Sequence, residues 1–247
     1  MSRTASRTLD LLEHVARAPA PAGLIELATD SGIDKSTAAR LLAFLAEREL
    51  VVRDPVTRRY APGPALLALG AAALQRSDLR AGARPYLERL RAATGETVTL
   101  HVRVRDAFVC IDGLEGPSPV RRAVPLGESI PLYVGVTGKA ILAFLAPAEI
   151  DRQFEAAAAA GVDVAALRSE LAAVRAQRFR AAVGDRVPEV GAMAAPLFDG
   201  GAPYGAVSVS APAARWDERR MRAAAPELTA VAAEMSTMLR PAPGMAA

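Results

Sequence analysis

LIELATDSGIDKSTAARLLAFL, Leu24 to Leu45, is the stretch that decides the fold. It holds two short apolar-periodic segments separated by Thr29-Asp30-Ser31-Gly32, the pattern of a helix-turn-helix. In the second segment Ala38, Leu41, Leu42 and Leu45 recur at i, i+3, i+4 and i+7. They share one face of a helix and can pack on Leu24, Leu27 and Ala28 of the first segment. The opposite face carries Lys35, Ser36, Ala39, Arg40 and Ala43, with Thr37 beside it. Small side chains there let the helix backbone approach a phosphate chain. Lys35, Ser36 and Thr37 at the N-terminal end can contact phosphates, and Arg40 can reach base edges. Asp34 is the expected N-cap. A helical hairpin of this kind also occurs in bundles, so the flanking sequence decides between the two readings.

Upstream, Leu9, Leu12 and Val15 lie at helical spacing in residues 6–17, and Ala18-Pro19-Ala20-Pro21 ends that helix. Downstream, Leu50 to Arg53 and Arg58 to Tyr60 form short β runs around Asp54-Pro55-Val56-Thr57. Three helices and a hairpin make a winged helix-turn-helix over residues 1–63. Arg58 and Arg59 sit at the wing, where a phosphate or minor-groove contact is expected. Residues 64–78 read as a linker helix, so apolar that a partner helix from a second copy is expected on it.

With 247 residues, the chain has room for this module and a second domain over residues 79–247. Apolar residues at 51% and charged residues at 23% fit a globular protein, and no run approaches the ~18 apolar residues of a membrane span. Asp10, Glu13 and His14 interrupt any apolar run near the N-terminus, so no secretory signal is read and a cytoplasmic location is expected. One cysteine and two histidines exclude a disulfide framework and a Cys/His zinc site within the chain, and no cofactor is implied. Net charge is +3, with 10 Lys+Arg against 9 Asp+Glu in residues 1–78, so DNA binding rests on placement rather than bulk charge. Only Lys35 and Lys139 are lysines.

In the second domain, residues 78–93 read as a helix. Thr97 to Val104 alternates with period 2, and Ala107 to Ile111 is its expected hairpin partner. Val120 to Val124 is a further candidate strand. Residues 136–145, 147–159 and 164–177 are helical in pattern, Gly191 to Phe198 and Tyr204 to Ser210 alternate again, and a long helix over 217–239 precedes a frayed tail at 241–247. This order predicts an α+β domain on one antiparallel sheet. Ser208 and Ser210 alternate with Val207 and Val209, so both hydroxyls leave one face of a strand and can line a pocket. Gly138-Lys139 is no P-loop, because Tyr133 stands where that motif needs glycine and Ala140 where it needs Ser or Thr. It does offer a Gly-containing loop entering a helix, a receptor for an anionic group. No G-x-S-x-G, H-E-x-x-H or G-x-G-x-x-G is present, which argues against an enzyme.

Five ordered blocks resemble the IclR family of bacterial transcriptional regulators: GIDKSTAARLLAFL, TRRYAPGPALLALG, DLRAGARPYLERLRAATGETVTL, GESIPLYVGVTGKAILA and AAPLFDGGAPYGAVSVSAP. The resemblance runs from about Ser6 to Leu239. It implies a winged helix-turn-helix on a palindromic double-stranded DNA operator, a dimerising linker helix, and a GAF-like C-terminal domain that binds a small effector. Dimers and dimers of dimers are implied as well. Carried over, the effector pocket falls near Arg122, Ile130, Val136, Thr137, Asp185, Pro196, Ser208 and Ser210, with Gly138 in the loop between them. There are departures. Arg178-Phe179 stands where the family often has Gly-Tyr, Asp185 where Glu is usual, Glu189 where a glycine precedes the A-A-P block, and Arg122 where an apolar residue is common. A guanidinium at Arg122 favours a carboxylate effector. The alternatives are a DNA-binding adaptor dimer whose second domain holds a protein, and an enzyme with an accessory N-terminal module.

Arg40→Ala is expected to reduce the preference for operator over random DNA, and Arg59→Ala to weaken both alike. Binding isotherms on specific and scrambled duplexes check this, and an unchanged specificity ratio for Arg40→Ala would remove Lys35 to Arg40 from the reading helix.

Overall fold

The computed structural model describes residues 3–75, 78–123 and 126–239. Its contacts divide the chain into two compact units, Met1–Ser77 and Asp78–Ala247. The first contains α1 (Arg3–Arg17), α2 (Leu24–Asp30), α3 (Lys35–Glu47), the hairpin β1 (Val51–Arg53) and β2 (Tyr60–Pro62), and α4 (Pro64–Gln75). The apolar periodicity of α1 and α3 drives them together. Leu11, Val15, Leu27, Ala38, Leu42 and Leu45 form a core that Val51 and Tyr60 of the hairpin close. Each fully buried leucine contributes about 1.5–3 kcal/mol by removal from water. Gly63 follows the hairpin where a Cβ would stand 2.0 Å from the Glu49 carbonyl oxygen, so the chain can only turn into α4 there with glycine. No residue of α4 is buried, and Leu67 and Leu69 are among the exposed large apolar side chains.

The second unit contains α5 (Asp78–Thr94), β3 (Thr97–Val104), β4 (Ala107–Leu114), β5 (Ser129–Pro131), α6 (Gly135–Leu142), α7 (Pro147–Ala159), α8 (Val164–Gln177), β6 (Arg180–Val183), β7 (Val190–Asp199), β8 (Ala202–Pro212) and α9 (Glu218–Met238). The strands form one six-stranded antiparallel sheet in the order β5-β4-β3-β8-β7-β6. One face buries Val98, Leu100, Met193, Leu197, Val207 and Val209 against Leu87 and Leu90 of α5 and Leu228 and Val231 of α9. On the other side a second core joins Phe108 and Ile130 to Ile141 and Leu142 of α6, Phe154 of α7 and Leu167 and Leu171 of α8.

This is the expected two-domain α+β arrangement, with differences in detail. Residues 120–123 form no strand, and Val124 lies outside the described residues, as does the 241–247 tail. Thr97 donates its hydroxyl to the Arg122 carbonyl at 2.6 Å, which holds this segment by a side chain in place of a ladder. Two short strands, β5 and β6, carry too few residues for period 2 to register; pairing with β4 and β7 creates them.

Gly63→Ala is expected to destabilise the first unit by about 2–3 kcal/mol, because the obstacle is backbone and cannot rotate away. Urea unfolding of the full chain followed by circular dichroism measures it, and a loss under about 0.5 kcal/mol would show that the turn has room for a methyl group.

Candidate functional site

At the start of α3 the Asp34 carboxylate accepts from the Thr37 amide at 2.9 Å and from the Ser36 hydroxyl at 2.7 Å. The Thr37 amide first and the Ser36 hydroxyl second hold this carboxyl well below the usual carboxylate range. The cap fixes where the helix begins and which side chains precede its first turn. Lys35, Ser36 and Arg40 are exposed and Thr37 is half-buried, while Leu41, Leu42 and Leu45 are buried. The polar and apolar faces therefore separate as the periodicity requires. Among the described residues the guanidinium groups of Arg40 and Arg58 have no hydrogen-bonding or ionic partner, whereas Arg48 covers the exposed Phe44 ring at 4.6 Å.

The wing turn is closed by Asp54, whose carboxylate accepts from the amides of Val56 at 2.9 Å and Thr57 at 2.6 Å. Arg58 occupies the left-handed region at φ 60 and is exposed at the tip. Arg59, expected at the DNA backbone, is half-exposed and has partners within the domain. Its guanidinium donates to the Pro21 carbonyl at 2.7 Å and pairs with Glu26 at 3.3 Å, tying the wing to the start of α2. The pair is half-exposed, so solvent screens it.

In the second unit the register of β3 on β8 sets Thr97 opposite Ser210 and Thr99 opposite Ser208. All four hydroxyls leave the sheet on the face away from α5 and α9. Thr99 Oγ1 lies 2.7 Å from Ser208 Oγ, and His101 Nε2 lies 2.8 Å from the first and 3.3 Å from the second. His101 is only 4% exposed, and its Nδ1 is buried without a hydrogen-bond partner among the described residues. Burial, and then the charge of Arg186, lower its pKa to about 3, so the ring is neutral. The Cys110 thiol beside it is pushed up to about 11 by burial and stays protonated.

Thr99, His101, Cys110, Ser208 and Ser210 floor a cavity with about 630 Å³ of empty space, mouth included. Its walls bring together Arg122, Glu128, Ile130, Val136 and Thr137 on one side and Asp185, Arg186, Val190 and Ala192 on the other. Of the residues expected at the pocket, Arg122, Ile130, Val136, Thr137, Asp185, Ser208 and Ser210 do line it. Gly138 and Pro196 do not. A Cβ at Gly138 would stand 2.4 Å from the Leu132 carbonyl oxygen, so this glycine lets α6 pack on the preceding turn. Pro196 is too far along β7 and borders Phe144, Arg178 and Phe198 instead. Arg178, at φ 64 where the family often has glycine, ends α8, and its guanidinium lies 4.9 and 4.7 Å from the Phe144 and Phe198 ring centres. Those contacts offset the left-handed backbone.

Lys139 is a buried ionic node. Its Nζ lies 2.6 Å from Asp185 Oδ1 and 2.8 Å from Glu170 Oε2, joining α6 to α8 and to the β6–β7 loop. The second oxygen of Asp185 is buried with no partner among the described residues. Lining residues that sequence reasoning missed include Thr99, His101, Phe108, Cys110, Glu128 and Arg186. For Thr99 and His101 a signal existed, since they alternate in phase along one strand; for Glu128 and Arg186 none did.

A winged helix-turn-helix with a free polar helix face, followed by an α+β unit with a cavity floored by hydroxyls and a histidine, defines the class of DNA-binding regulators with an appended second domain. Comparison with known proteins agrees. Residues 4–55 match the IclR helix-turn-helix domain, and residues 71–237 match the bacterial transcriptional regulator IclR C-terminal domain. The chain is 31% identical to the HTH-type transcriptional regulator BhcR of Paracoccus denitrificans, covering 97% of this chain and 88% of that protein. It is 27% identical to the HTH-type transcriptional repressor AllR of Escherichia coli, over 94% of this chain and 89% of the relative. A putative IclR regulator from Silicibacter sp. superposes with TM-score 0.83 at 26% identity, covering 98% of both chains. The chain belongs to the IclR family of transcriptional regulators, and DNA binding in transcription control is its function. Among the described residues no helix is long and apolar enough to cross a membrane.

The His101 pKa is lowered from 6.5 to about 3, so on acidification the unfolded chain takes up the proton first. This contribution to stability is complete above pH 6.5 and is lost as pH falls toward 3, by at most about 1.4 kcal/mol per pH unit. His101→Gln is expected to flatten the pH dependence of unfolding free energy between those limits. Equal slopes for variant and wild type would show that His101 titrates alike in both states.

Proposed function

We propose that this regulator senses a small carboxylate in the cavity of its second domain and that occupancy changes its affinity for a two-fold operator in the cytoplasm. The observation that carries this reading is the cavity itself: a neutral His101, Thr99, Ser208 and Ser210 on the floor, and the guanidinium of Arg122 without a partner among the described residues. Hydroxyls and a neutral ring position a ligand, and an unpaired guanidinium selects an anionic one by charge-assisted bonds. The start of α6 adds to this, because Val134 provides no side-chain cap and leaves amides near Val136 and Thr137 for an anion. On the DNA side, Lys35, Ser36, Thr37 and Arg40 read the major groove and Arg58 holds the flanking backbone. Arg59 supports the wing from within.

Dimerisation through α4 fits its exposed Leu67 and Leu69 and sets two reading helices roughly 34–36 Å apart, one helical turn of DNA. For the effector to act, it must bind the two functional states with different affinity.

The experiment begins with sequencing of DNA captured by the purified protein, which yields an operator. Fluorescence anisotropy on that operator then follows a metabolite panel of charged and neutral compounds. A short carboxylate is expected to change operator affinity about tenfold or more in the wild type, and Ser208→Ala to keep operator binding while losing that response. No response to any compound, or an unaltered response in Ser208→Ala, would remove the cavity from regulation.

A further inference from the structure

Two arginines face the cavity in different conditions. The Arg122 guanidinium has no partner among the described residues, whereas Arg186 donates through Nη1 to Glu128 Oε1 at 2.9 Å. That single bond joins the β6–β7 loop to the segment entering β5, and both residues line the same cavity. The stem of Arg186 lies on Gly135, where a Cβ would sit 3.5 Å from the Arg186 Cβ. Its positive charge is felt by His101 on the floor. Arg186 thus lines the cavity with its stem against the start of α6 and its guanidinium on Glu128. Its neighbour Asp185 is held separately by Lys139, so the loop stays anchored when Arg186 changes partner.

We propose that Glu128 is a resident carboxylate occupying the ligand's place on Arg186, and that a carboxylate effector binds by displacing it. This rests on the effector reading above. The side chains of Arg186 and Glu128 are 29% and 37% exposed, and one hydrogen bond at that exposure is a weak, screened attachment. A ligand carboxylate can offer both oxygens to the planar fork of Arg186, and a second carboxylate can reach Arg122. The exchange is isoelectric at Arg186, so no charge is left unpaired there, and the released Glu128 turns to water. Its consequence is structural: binding unfastens the β6–β7 loop from the β5 entry. The ligand class follows as a short carboxylate, favouring a dicarboxylate that spans Arg186 and Arg122.

The test is calorimetric titration of the full chain with succinate and with acetate at constant ionic strength, for wild type, Glu128→Gln, Arg186→Gln and the double variant. Glu128→Gln is expected to bind succinate about fivefold or more tightly than wild type, and Arg186→Gln about tenfold or more weakly. The double variant should match Arg186→Gln, since freeing an absent guanidinium changes nothing. Hydrogen exchange in residues 184–189 should rise when succinate binds the wild type. An affinity of Glu128→Gln equal to or below wild type overturns the proposal, as does a double variant that differs from Arg186→Gln. Failure of both carboxylates to bind wild type and Glu128→Gln overturns it too. The effector reading then stands or falls separately on the operator panel, whose other carboxylates and Ser208→Ala arm report on the cavity rather than on the Glu128–Arg186 pair.

Discussion

The pairing of β3 with β8 is the constraint on which the second domain depends. With Thr99 opposite Ser208 and Val98 opposite Val209, the apolar set enters the core under α5 and α9 and the hydroxyl set enters the cavity. A slip by one residue would exchange the two sets, burying serines among leucines and opening valines to the cavity. The same pairing thus supplies the core energy and the polar floor. Because the strands lie at the centre of the sheet, neither can shift without disturbing β4 and β7 as well.

A comparable division holds in the first domain. The helix α3 buries Ala38, Leu41, Leu42 and Leu45 and so presents Lys35, Ser36 and Arg40 outward. Rigidity comes from two local devices, the Asp34 cap and the Asp54 turn, and from Arg59 on Glu26. The exposed polar face of α3 is thereby held on elements whose own contacts lie within the domain.

Much of this was legible in the sequence because it depends on neighbours close along the chain. The helix-turn-helix, the wing, the β3–β4 hairpin and the shared face of Ser208 and Ser210 all follow from spacing. Short strands such as β5 and β6 did not show, since a few residues cannot establish a period. Local pattern suggests Gly138 and family likeness Pro196 for the pocket, but the glycine serves a backbone contact with Leu132 and the proline borders Phe144 and Phe198.

By itself the sequence determined the helices and the longer strands, the two-domain plan and the polar face of α3, all products of local periodicity and capping. Only the tertiary structure decided which charges are committed and which are free. Lys139 meets Asp185 across 46 residues and Arg59 meets Glu26 across 33, while the guanidinium groups of Arg40, Arg58 and Arg122 meet none among the described residues. It also made His101 a neutral member of the cavity floor. The physical reason is that a side chain's partner and its burial depend on what the fold brings beside it, and no spacing along the chain encodes that.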